Sequence, residues 1–221
     1  MKKKESMKFI AAVGLLAAFV IWTAVVRLVD VQGIGPLGSA VGLATINRYL
    51  HGLTGVHLSL YVLTDWLGLV PFIFVMGFAL LGLCQWIRRR RLWKVDTDIL
   101  VLGGFYAVVL TMYVFFETVV VNYRPILING YLEVSYPSSI TMLVLCVMPT
   151  AVLQLNTRIQ NRILRRCAAI AITAFTVVMV VSRFVSGVHW FSDIFGGILL
   201  SGGLVLLYCC ICGRITRMNM E

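Results

Sequence analysis

Apolar residues run through this chain in long blocks separated by short polar turns. An α-helix needs about 20 residues to cross a hydrocarbon core roughly 30 Å thick. Blocks of that kind occur near residues 8–29, 67–87, 98–121, 138–155, 167–185 and 194–212. The pattern predicts an all-α protein, a six-span transmembrane helical bundle, with residues 1–221 forming one integral-membrane domain. The segment from Asp30 to Trp66, with "SAVGLATINRYLHGLTGVHLSLYVLTDWLG", is too polar to span and too apolar for a free loop. It predicts short interfacial helices in the first outer loop, with Tyr49, Tyr61 and Trp66 at headgroup level. His51 and His57 fall in it and are expected to be structural.

Composition agrees with the pattern: 60% of the 221 residues are hydrophobic and only 13% are charged. A net charge of +10 raises the question of nucleic acid, but its placement answers it. Lys2, Lys3, Lys4 and Lys8 precede the first block, and Arg88 to Arg91 with Lys94 follow the second. Arg158, Arg162, Arg165 and Arg166 separate the fourth and fifth, and Arg214 and Arg217 follow the sixth. Fifteen of nineteen basic residues thus fall on one side of an alternating six-span chain, leaving Arg27, Arg48, Arg124 and Arg183 on the other. The positive-inside rule then predicts a multi-pass protein of the cell (cytoplasmic) membrane with both termini in the cytoplasm, and no nucleic-acid partner.

The basic start and the first apolar block together resemble a secretory signal, but the block is longer than a typical cleaved one, so a retained span is expected. Cleavage near Ala40 would leave the remaining topology unchanged. Asp96 and Asp98 flank Thr97 ahead of the third block, which suits a helix N-terminus. The cysteines 84, 146, 167, 209, 210 and 212 lie in spans or near their cytoplasmic ends, so no disulfide is expected. "CCIC" reads as small packing residues or a metal cluster, and no His or carboxylate stands near it in sequence.

Charges near a bilayer are costly and point to function. With the topology signals set aside, the outer ends of spans three to six keep Arg124 in "NYRP", the hydroxyl pair of "YPSS", and Arg183, His189 and Asp193 in "SRFVSGVHWFSD". Alternation of the spans brings these three groups to one membrane face. Two arginines make a site for an anion, and phosphate fits their geometry. Ser138 follows Pro137 at a helix start, where a hydroxyl and free N–H groups bind phosphate oxygens. His189 and Asp193, four apart on one helical face, suit a neutral imidazole steadied by a carboxylate. Taken alone, the last stretch also reads as interfacial anchors, with Trp190 as a belt residue. A small-solute transporter would need polar groups near the bilayer midplane, and here they cluster at span ends.

Together these groups resemble the integral-membrane type 2 phosphatidic acid phosphatases, a superfamily that shares its site with the vanadium haloperoxidases. That family reads K-x6-R-P, then P-S-G-H, then S-R-x5-H-x3-D. Here the third motif is complete at Ser182, Arg183, His189 and Asp193. The first keeps Arg124-Pro125 and the second keeps Pro137-Ser138. The resemblance covers essentially the whole chain and implies a bacterial-type lipid phosphate or diphosphate phosphatase acting on the outer face, with no cofactor or metal. It implies that His189 attacks phosphorus to form a phosphohistidine and that Asp193 orients it. Arg124, Arg183, Ser138 and the Ser139 N–H would bind the phosphoryl oxygens.

Two positions depart from the pattern. Glu117 stands where the first-motif lysine falls, and Ile140 where the histidine that protonates the leaving group falls. Losing a general acid costs roughly 10²–10⁴-fold for a poor leaving group. Three readings follow: a phosphatase favouring polyprenyl or other lipid diphosphates, whose leaving group is already good; an enzyme in which Glu117, protonated by burial, is the substitute acid; or a catalytically impaired homologue that binds lipid phosphate. Glu133 is a further candidate acid.

Overall fold

The computed structural model describes residues 2–218, with side chains for 5–215. The side chains of Lys2, Lys3, Lys4 and Arg217, part of the charge count, lie outside the described residues. The helices are α1 (Lys2–Leu28), α2 (Ala44–Thr54), α3 (Leu58–Leu67), α4 (Val70–Arg89), α5 (Thr97–Thr118), α6 (Ser139–Arg158), α7 (Arg162–Val185) and α8 (Phe191–Met218). Among the described residues, six stretches are long and apolar enough to cross a membrane: Glu5–Leu28, Leu58–Arg89, Thr97–Thr118, Ser139–Arg158, Arg162–Val185 and Phe191–Ile215. The six-span helical bundle read from the apolar blocks is therefore the architecture observed.

Helix limits depart from the blocks for local reasons. α7 begins at Arg162 because Asn161 caps it, its side-chain oxygen accepting from the N–H groups of Ile163 (2.9 Å) and Leu164 (3.1 Å). The larger difference lies before span two. Leu58 to Trp66, expected in the interface, forms α3 and runs on through Gly68 and Leu69, both in right-handed helical backbone, into α4. Pro71 accounts for the break, since it has no N–H to give the Leu67 carbonyl. α2 stays a separate short α-helix of that loop, with Ile46, Tyr49 and Leu53 exposed.

α1 lies along α8, and α6 packs between α7 and α8. Half of each of the α6 and α8 spans is buried, against 17–22% for the others, which makes these two the centre of the bundle. The core gathers Phe19, Phe105, Phe116, Tyr136, Met142, Leu204 and Tyr208, with Cys209 and Cys212 packed against it. None of the described cysteines forms a disulfide. At one end, ion pairs join the turns: Arg89 to Asp96 and Arg158 to Asp98, both at 2.8 Å. Asp96 is the residue before α5, as the sequence predicts.

The other end, here the head end, is where α5 and α7 stop and α6 and α8 start. There the α7–α8 turn meets the α2–α3 turn backbone to backbone. His57 N–H donates to the Ser186 carbonyl (2.9 Å), and the His51 Nε2–H to the Gly187 carbonyl (3.0 Å). His57 Nε2 is taken up by the Thr54 carbonyl (2.9 Å), so both histidines serve turns. Gly187 has φ +69°, and a Cβ on it would lie 1.8 Å from the Gly55 carbonyl oxygen. Gly187→Ala should therefore lower stability by at least about 1–2 kcal/mol, the cost of left-handed backbone for a residue with a Cβ. Gly14→Ala, where nothing lies within 4 Å, should leave it unchanged or raised. Thermal unfolding in detergent measures both, and equal melting temperatures would refute the close approach.

Candidate active site

The α5–α6 loop doubles back on itself. Asn129 and Gly130 both have positive φ (50° and 83°), and Ile128 and Tyr131 exchange N–H···O bonds at 3.0 and 2.9 Å across them. This is a two-residue hairpin of the type that Asn-Gly favours. The hairpin lays Arg124 against Glu133, with the Arg124 N–H on the Glu133 carbonyl (3.0 Å) and Nε 3.0 Å from Glu133 Oε2. It also sets Ser135 across from Asn122, whose carbonyl takes the Ser135 N–H (3.0 Å). Glu133 thereby serves Arg124 as a counter-ion.

His189 stands in the turn before α8 and is 3% exposed. Its Nε2 lies 3.2 Å from Arg124 Nη1 and 3.1 Å from Arg183 Nη2. A guanidinium can only donate, so Nε2 carries the lone pair and the imidazole proton sits on Nδ1. That proton meets Ser135 Oγ at 3.0 Å, and the Ser135 hydroxyl in turn donates to Asp193 Oδ2. Burial, with the charges of Arg124 and Arg183, holds the His189 pKa well below its usual 6.5. A neutral imidazole with its lone pair facing two cations has the chemistry to attack an anionic electrophile.

Two expectations change here. His189 and Asp193 do not share a helical face, because α8 starts at Phe191. Nor does Asp193 hold the imidazole directly: Nδ1 and Oδ2 are 4.0 Å apart, with the Ser135 hydroxyl bonded to each. Asp193 is fully buried and accepts from Ser135, the Trp190 N–H (3.0 Å), Asn122 Nδ2 (3.2 Å) and Ser192 Oγ (3.2 Å).

Arg183, 1% exposed, depends on α3. Its Nη1 donates to Thr64 Oγ1 (3.3 Å) and lies 3.8 Å from Asp65 Oδ1. The Tyr61 ring lies under both guanidiniums, 5.1 Å from that of Arg183 and 5.9 Å from that of Arg124. Sequence reasoning treated Tyr61 as an interfacial anchor and passed over Asp65. The available signal was that Asp65 is the sole carboxylate between Asp30 and Asp96, inside an apolar run.

The remaining candidates are placed as follows. Ser138 precedes α6, is fully buried, and its hydroxyl accepts from Thr141 Oγ1 (3.0 Å). Ser139 lines a recess of about 10 Å³, room for about one water, together with Ser135, His189, Tyr113 and Glu117. Glu117 is exposed at the end of α5. Ile140 lines a cleft of about 660 Å³ between α4, α5 and α6, as do Arg124, Arg183 and Asp65. Phe72, Val75, Leu110, Leu143 and Val147 form its apolar depth. From Ser139 to Val147 the cleft follows α6 for about 12 Å at a rise of about 1.5 Å per residue.

Helical bundle and buried cluster together describe six helices long and apolar enough to cross a membrane, with two arginines, a histidine and a carboxylate gathered at one end. Residues 118–217 match the model of the PAP2 superfamily, the family that the motifs resemble. The fold resembles the crystal structure of a transmembrane PAP2-type phosphatidylglycerolphosphate phosphatase from Bacillus subtilis, with a TM-score of 0.59. The match covers 92% of this chain and 96% of that one at 18% identity, a likeness of fold. No curated protein matches the chain in sequence.

The depressed His189 pKa has a signed consequence. Unfolded chain binds a proton near pH 6.5 that the folded site refuses, so stability falls as pH drops below that value, by up to about 1.4 kcal/mol per pH unit. His189→Asn should unfold with a flatter pH dependence between pH 7 and 5 in detergent. Identical slopes would contradict a neutral buried His189.

Proposed function

We propose that the protein is a phosphatase of phosphorylated membrane lipids, with His189 as nucleophile. The observation that carries this is the lone pair of His189 Nε2 within 3.2 Å of two guanidiniums at the mouth of an apolar cleft. The cleft takes an acyl or prenyl chain, and the arginines take the phosphoryl oxygens. Nε2 attacks phosphorus, the bond to the leaving oxygen breaks, and water then cleaves the phosphohistidine. Asp193 stabilises the imidazolium that forms. Ser139 N–H, at the start of α6, adds a donor for a phosphoryl oxygen. Ser138 shares that helix start, although its hydroxyl is turned to Thr141.

Position 140 sets the substrate preference in this reading. Ile140 lines the same cleft as Arg124 and Arg183 and cannot protonate a leaving alkoxide. Lipid diphosphates, which release phosphate, therefore turn over faster than monophosphates such as phosphatidic acid or phosphatidylglycerolphosphate. Glu117 shares the water-sized recess with His189 and is the carboxyl available as substitute acid. The basic turns stand at the end opposite His189, which supports cytoplasmic termini and an extracytoplasmic site.

Phosphate release by detergent-purified protein tests this reading on phosphatidic acid, phosphatidylglycerolphosphate and polyprenyl diphosphate. His189→Ala should abolish release on all of them, and release that survives the substitution would refute the nucleophile. Ile140→His should speed monophosphate cleavage by up to about 10²–10⁴-fold and diphosphate cleavage much less. Glu117→Gln should slow monophosphates more than diphosphates.

The lack of an acid at position 140 also favours a second reading, a lipid-phosphate binder without turnover. It predicts no release by the wild type, with binding to phosphatidic acid vesicles that Arg183→Gln weakens.

A further inference from the structure

We propose that Ser135 is a positioning residue of the reaction: its hydroxyl is the bridge through which Asp193 holds His189 for attack. This rests on the phosphatase reading above. Ser135 is 2% exposed, and its single hydroxyl is shared between two partners, His189 Nδ1 at 3.0 Å and Asp193 Oδ2. The direct gap between those partners, 4.0 Å, is too long for a hydrogen bond. A carboxylate only accepts, so the Ser135 O–H donates to Asp193 and its lone pair takes the Nδ1–H. The bridge therefore fixes the tautomer whose lone pair lies on Nε2, the nitrogen that faces Arg124 and Arg183.

The hairpin explains why a serine two residues ahead of Pro137 takes this place. Asn122 and Ser135 are joined across it, with the Ser135 N–H on the Asn122 carbonyl (3.0 Å), and their side chains hold opposite oxygens of Asp193. In the forward step the Nε2 lone pair bonds to phosphorus, and the ester or anhydride oxygen leaves with its electron pair. Positive charge then rises on the imidazole, and the Nδ1–H···Ser135···Asp193 chain shortens around it. Water attacks phosphorus next, the N–P electron pair returns to Nε2, and the proton that the water loses passes through solvent to the oxygen that departed. Ser135 keeps its proton throughout, so its work is geometric and electrostatic.

The test uses the full chain in detergent, with phosphate release from polyprenyl diphosphate and phosphatidic acid, and ¹⁵N spectra of the histidine rings. Ser135→Ala is expected to lower kcat about 10–100-fold, a range common for the second partner of a working imidazole, with KM within about twofold. Ser135→Thr, which keeps the hydroxyl, is expected to recover most of that loss. The His189 ring should read as the Nδ1–H tautomer in the wild type and as a mixture in Ser135→Ala. An alanine variant with wild-type kcat and an unchanged Nδ1–H signal would overturn the proposal, as would a wild-type ring protonated on Nε2. The ring spectra are independent of turnover: an inactive wild type with the Nδ1–H signal lost in Ser135→Ala would sink the phosphatase reading and leave the bridge standing.

Discussion

Everything at the head end answers to one constraint, a carboxylate sealed from solvent. Asp193 is fully buried, and a buried carboxylate persists only when donors replace its water. Its four donors come from the α5–α6 hairpin (Asn122 and Ser135), the backbone before α8 (Trp190), and its own neighbour Ser192. Hydrogen bonds to a charged group contribute about 1.5–3 kcal/mol each, enough together to offset a desolvation penalty of several kcal/mol. Losing any one segment leaves the carboxylate short, so the segments are ordered as a set. Ser192 passes the demand outward: Asn47 of α2 donates to its hydroxyl (2.9 Å) and accepts its N–H (3.1 Å). A helix remote in sequence is thereby docked on the start of α8.

The second organising feature is the pairing of cations. Arg124 and Arg183 both reach His189 Nε2, and each has its own carboxylate, Glu133 from the hairpin and Asp65 from α3. Two unpaired guanidiniums this close would repel one another and resist burial. Glu133 and Asp65 are the more exposed partners, with side chains 40% and 56% exposed. In the proposed reaction a phosphoryl group would take over the inner N–H groups while the outer carboxylates stay solvated. The polar cluster closes one end of the cleft and apolar side chains continue along α4, α5 and α6. Charge and oil are thus divided along the bundle axis, which suits an amphipathic ligand.

Much of this was legible in the chain. Spans are a one-dimensional property, since the length and hydropathy of a block decide whether a helix can cross a bilayer, and all six blocks became helices. Arg124, Arg183, His189 and Asp193 were legible because their spacing within short motifs is kept and alternation sends them to one end. The Asn129-Gly130 turn was legible too and passed unread; it would have set Glu133 on Arg124 and Ser135 opposite Asn122. α3 was misplaced because its polar residues, Thr64 and Asp65, looked interfacial, whereas they serve Arg183, more than a hundred residues away in sequence.

By itself, then, the sequence determined the number of spans, the end at which the polar residues gather, and that His189, Arg124 and Arg183 are among them, because each depends on composition or on spacing over a few residues. Tertiary structure alone decided what stands between those groups. That a serine hydroxyl bridges imidazole and carboxylate, that Asp65 and Tyr61 steady a buried arginine, and that Ile140 faces the same cleft as the arginines all follow from contacts between segments far apart in the chain. A difference of about 1 Å between a direct and a bridged contact is set by how helices pack, which no local pattern of residues encodes.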